Sequence, residues 1–183
     1  WNKKKIHIDR DFVVSSKINF GSYGSNGGEG VAFVLQPNGT SAYGSNYANL
    51  GYKAGNISNA IAVEFDTHGQ TEDFVAIVSL KNGTRTVLST KNVSELEDNT
   101  YKNISVSWDA DANKLAVSIG GIEIVSATSD IVSEVFGMSQ VNFGFTASTG
   151  NYWNTQSVKD ISVSGTLEGD ESGNVVFDWQ VSS

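Results

Sequence analysis

The feature that most constrains this chain is a two-residue rhythm. In Asn103-Ile104-Ser105-Val106-Ser107-Trp108 every second residue is apolar. Ile104, Val106 and Trp108 therefore share one face of an extended segment, and the polar residues share the other. The alternation returns in Leu115, Val117 and Ile119 and again in Ile122 and Ile124. Short runs rich in Val, Ile and Phe at 12–20, 30–35, 60–66, 74–80, 84–89, 140–146, 158–163 and 175–181 read as further strands, punctuated by Gly, Asn, Ser and Asp. Asp109-Ala110-Asp111-Ala112-Asn113 has the composition of a hairpin loop. It imitates the start of a helix-loop-helix calcium site, but Lys114 stands where that loop needs Gly, and Gly120 where it needs Glu. Ser94-Glu95-Leu96-Glu97 fits the cap of a short helical turn. With no long helical period, the pattern predicts an all-β antiparallel sandwich.

The length of 183 residues suits one all-β domain spanning 1–183 and suffices for a buried core without disulfides. The chain has no cysteine, which is unusual for animal extracellular modules and ordinary for bacterial surface proteins. It starts at Trp1 rather than Met, so a domain excised from a larger secreted or cell-surface protein is the expectation. No apolar run is long enough to span a bilayer, so no membrane insertion is expected. A net charge of -8 argues against a nucleic-acid partner, since no basic stripe exists to neutralise phosphates. Lys3-Lys4-Lys5 reads as a solvated edge. Acidity suits calcium, which prefers oxygen ligands.

Three segments point further: Gly27-Gly28-Glu29-Gly30-Val31-Ala32-Phe33-Val34-Leu35, then Ala62-Val63-Glu64-Phe65-Asp66-Thr67, then Asn142-Phe143-Gly144-Phe145-Thr146-Ala147-Ser148-Thr149-Gly150. In this order they resemble the L-type lectins, the concanavalin A-like legume-lectin superfamily, and most of all the lectin modules of large bacterial adhesins. The resemblance implies a jelly-roll sandwich with a curved front sheet and a flatter back sheet. It also implies a glycan partner held by loops at one end, and neighbouring domains of a larger adhesin.

Residue by residue, Glu29 takes the place of an Asp that bonds sugar hydroxyls in the family and is held there by a cis peptide bond. Glu64 and Asp66 lie two apart on a strand and so face the same side. The family pattern then implies one calcium, held by Asp66, the carbonyl of His68, Gln70 and Asp73. Val75 falls where a transition-metal site would have its His, so no manganese is expected. The His68 ring reads as a surface group able to stack on or bond a sugar, with Gln70 also near the ligand. In the last loop, Gly150, Asn151, Tyr152 and Trp153 would read the sugar, with Asn154 a further donor and acceptor. A pyranose packs its apolar face on an aromatic ring; otherwise one ring, Trp153, turns inward under the loop.

Two other functions compete. The same sandwich carries β-glucanases, whose strand supplies two Glu residues about 5 Å apart. Here Thr67, His68 and Gly69 follow Asp66, so the second Glu is missing and no catalytic residue is assigned. The third reading is a structural or protein-binding module whose sugar site has decayed.

Overall fold

The structure is a computed structural model that describes residues 1–24, 27–68 and 72–170, with the backbone of 179 and 180. In chain order the strands are β1 (Ile6–His7), β2 (Phe12–Asn19), β3 (Gly30–Gln36), β4 (Ala60–Asp66), β5 (Asp73–Lys81) and β6 (Thr84–Val93). They continue with β7 (Lys102–Asp109), β8 (Lys114–Ile119), β9 (Ile122–Thr128), β10 (Gln140–Ser148), β11 (Ser157–Gly165) and β12 (Trp179–Gln180). They form two six-stranded sheets, ordered β1-β10-β3-β4-β5-β6 and β12-β11-β2-β7-β8-β9. Every neighbouring pair is antiparallel. Of the strand expected at 175–181, only 179 and 180 fall within the described residues.

The two-residue rhythm builds the layer between the sheets. Val14, Ile104, Val106, Trp108 and Val117 from one sheet meet Val31, Phe33, Val63, Phe65, Val75 and Ile77 from the other, all buried. Each such side chain contributes roughly 1.5–3 kcal/mol on burial. A one-residue slip would turn the whole set outward, so the alternation fixes the register.

β4 departs from simple alternation, since Ala60 to Phe65 are all buried. Its second face, with Ala32, Val34, Ala76 and Val78 beside it, lies under the segment carrying Ala42, Leu50, Tyr52 and Ile57. The small Ala32, Ala62 and Ala76 let that segment approach closely. A strand covered on both faces loses its polar alternate residues, which explains the near-continuous apolar run.

Residues 94–97 do not form the expected helical turn. The Leu96 amide instead donates to the Asp73 carboxylate, and the Leu96 side chain joins the inter-sheet core. Short elements absent from the sequence reading are β1, a 3-10 turn at Tyr47–Asn49 and a π turn at Val132–Phe136.

Candidate functional site

The start of β3, the end of β4 and the loop after β10 meet at one end of the first sheet, where Gly30 pairs with both Asp66 and Ser148. Gly30 has φ 123°, and a Cβ there would lie 2.1 Å from the Phe65 carbonyl oxygen. Only glycine lets the turn approach so closely. Thr67 locks the turn: its hydroxyl donates to the Gly28 carbonyl at 2.7 Å and its amide to the Glu29 carbonyl at 3.3 Å. No peptide bond among the described residues is cis, so these two hydrogen bonds hold Glu29, not the cis bond the resemblance implied.

Glu29 is only 5 % exposed. Its extra methylene, compared with Asp, is accommodated beneath Gly150, where an added Cβ would come within 2.5 Å of both Glu29 Oε1 and Tyr47 Cδ1. The other carboxylate oxygen faces His68 Nδ1 at 3.6 Å, too long for a hydrogen bond, and that nitrogen has no hydrogen-bond partner. Glu29 thus keeps most of its accepting capacity.

Aromatic residues lie beside the Glu29 turn, with the Tyr152–Trp153 backbone against Gly28 and the Tyr47 ring against Gly150. Tyr152 and Trp153 are both exposed, at 45 % and 58 %, so neither turns inward. The Tyr152 ring packs at 5.7 Å from the His68 ring, and Trp153 at 4.5 Å from the ring of Tyr23. Asn151 is exposed beside them. Tyr23 and Tyr47, 45 % and 49 % exposed, complete the rim. Sequence reasoning missed both, although each is a tyrosine in a polar, glycine-flanked loop, the same signal that marked Tyr152. The Tyr47 carbonyl accepts from the Ser148 hydroxyl at 2.6 Å, which clamps the covering segment to β10.

Asn154 is not available to a ligand. It is buried, donates to Glu97, and accepts from the amides of Ser22 at 3.0 Å and Thr155 at 3.1 Å. It therefore staples two loops under the rim. Burial, with Asp73 and Glu95 nearby and against the Asn154 hydrogen bond, pushes the Glu97 carboxyl up to about 7.

Among the described residues, the implied carboxylate ligands are engaged with groups of the chain itself. Glu64 is 1 % exposed and already bonded: to the Tyr52 hydroxyl at 2.5 Å, Lys53 Nζ at 2.9 Å, and Arg85 through Nε at 3.2 Å and a second guanidinium nitrogen. Burial works to raise its pKa, but Arg85, Tyr52 and Lys53 together hold it below the usual range. Asp66 Oδ1 accepts the His68 amide at 3.0 Å. Burial raises its pKa, and Glu64 and Glu29 raise it further. Asp66 pairs with Phe74 across the ladder, so Asp73, one residue earlier, faces the opposite side of the sheet. Asp73 accepts from the Leu96 amide, and its acidic neighbours are Glu95 and Glu97. Burial raises its pKa as well. Gln70 lies outside the described residues. Val75 packs in the inter-sheet core; the residue opposite Asp66, on the Glu64 side of the sheet, is Phe74. Of the four-ligand calcium set, the described carboxylates Asp66 and Asp73 thus leave the first sheet on opposite faces.

Glu64 is also unfit for the hydrolase reading. Held ionised by two cations, Glu64 has no proton to give as a general acid, and at 1 % exposure it is out of a substrate's reach as a nucleophile.

Comparison with known proteins agrees with this architecture. Residues 1–162 match the family description "Legume lectin beta-barrel domain". A probable L-type lectin-domain containing receptor kinase S.5 of Arabidopsis thaliana is 26% identical over 200 residues, covering 98% of this chain. The chain spans 29% of that relative's length. Among solved structures, the basic winged bean lectin with Tn-antigen aligns with a TM-score of 0.69 at 21% identity, covering 87% of this chain and 72% of that one. Lectin II from Ulex europaeus aligns at 0.64 and 24% identity, covering 84% and 75%. The chain belongs to the legume, or L-type, lectin family.

Proposed function

We propose that this chain binds a glycan at the Glu29 turn and does not cleave it. The observation that carries the reading is a nearly buried, under-bonded carboxylate ringed by Tyr23, Tyr47, Tyr152 and Trp153. Exposed aromatic clusters on soluble proteins mark binding surfaces. A pyranose offers such a site an apolar face for the rings and hydroxyls for Glu29, His68 and Asn151. The named lectins among the structural relatives support the same reading.

The module acts outside the cell, as part of a longer surface protein. The short share of the receptor-kinase relative's length that it spans supports this setting. Among the described residues no helix is long and apolar enough to cross a membrane. The cysteine-free composition supports a bacterial surface protein of adhesin type, in which many weak sites act together.

The test is a glycan array probed with wild type and Trp153→Ala. Binding to a defined set of glycans is expected, with the variant weakened about tenfold, the scale of one lost aromatic contact. An array dark at high protein concentration overturns glycan binding and leaves a protein-binding module. A Trp153→Ala signal equal to wild type moves the site elsewhere.

A further inference from the structure

Legume lectins generally bind metal ions. We infer that this chain holds its glycan site together without a divalent cation, its own cations and amides doing that work; the inference rests on the glycan-binding reading above. Calcium needs six to eight oxygen ligands converging on one point. Among the described residues no group of three or more His, Asp or Glu side chains is placed to hold a metal ion. Glu64, on the strand that leads to Asp66, already faces the Arg85 guanidinium and the Lys53 ammonium. A divalent ion there would meet two positive charges at close range.

The mechanical tasks of an ion are also discharged by the chain. Fixing the sugar-facing turn to the sheet falls to the two Thr67 hydrogen bonds on Gly28 and Glu29. Holding the covering segment over the sheet falls to Tyr52 and Lys53, both bonded to Glu64. Tyr47 lies five residues before Tyr52, so this anchor positions one wall of the glycan site from inside the protein. Just after β4 the Asp66 carboxylate accepts the His68 amide, a bond within the chain.

The experiment uses protein dialysed against EDTA. Thermal unfolding is followed in EDTA, in 1 mM calcium chloride and in 1 mM manganese chloride, and the glycan array is run in EDTA and in calcium. Midpoints within about 1 °C of one another and equal array signals are expected; on this size of domain 1 °C is well under 1 kcal/mol. A calcium- or manganese-dependent rise of several degrees overturns the inference, as does a glycan signal lost in EDTA and restored by calcium. An array dark in both buffers sinks the glycan reading, while the unfolding curves still decide the metal question. Asp73→Asn supplies a second arm. It keeps an acceptor for the Leu96 amide and removes the charge, so its array signal is expected to equal wild type. A large loss that excess calcium partly restores would return Asp73 to a metal site.

Discussion

Glu64 and Glu29 are two carboxylates at similar depth, 1 % and 5 % exposed, one on β4 and the other in the turn that leads into its neighbour β3. Glu64 is closed off by Arg85, Lys53 and Tyr52. Glu29 has a histidine nitrogen at 3.6 Å and glycine where a side chain would otherwise press. A buried polar group that is fully bonded serves the fold, whereas one left under-bonded is a place for a ligand. The contrast separates a carboxylate that holds the scaffold from one proposed to hold the ligand.

The largest effect expected is at Arg85. Arg85→Met leaves Glu64 buried with only Lys53 to balance it. The expected cost is about 3 kcal/mol, the low end for breaking a buried pair, because Lys53 remains and the guanidinium is partly exposed. That lowers the unfolding midpoint by roughly 6–12 °C for a domain of this size. An unchanged midpoint would mean that Glu64 is no more scaffold than Glu29.

Glu29→Gln should show the opposite profile. The midpoint is expected to move by no more than about 2 °C, while glycan affinity falls roughly 10- to 100-fold, as for loss of hydrogen bonds to a charged group. Destabilisation with binding intact would reverse the assignment.

The smallest effect tests an intermediate case. Glu97 is buried with one donor, Asn154, and titrates near 7, above the ordinary 4.5. The folded state therefore holds its proton more tightly than the unfolded chain. Its contribution to stability is complete below about 4.5 and is lost as pH rises through about 7. Glu97→Gln is expected to match wild type at pH 4 and to melt a few degrees higher at pH 8. Parallel melting-temperature curves for the two proteins across that range would contradict the shift.

The strands were legible because burial on one face writes a two-residue period, as at 103–108, and burial on both faces writes an apolar run broken only by Glu64, as at 60–65. The Glu29 turn and the Tyr152-Trp153 loop were legible from motif order. The relative placement of Asp66 and Asp73 was not: they leave the first sheet on opposite faces, and residue spacing does not encode that phase. Tyr23 and Tyr47 were hidden for another reason: contacts between loops distant in sequence bring them to the rim. At 94–97 a local capping pattern lost to the tertiary hydrogen bond between Leu96 and Asp73.

The close fit of Gly150 over Glu29 has a consequence for descent. The two positions are not free to change independently, since a side chain at 150 requires the acid at 29 to shorten or withdraw. In related genes, glutamate at 29 should be inherited together with glycine at 150. Lineages with aspartate at 29 and a smaller residue than tyrosine at 47 should tolerate alanine or serine at 150. A family tree in which the two positions drift without correlation would show that the space under Gly150 is not what selection has been preserving.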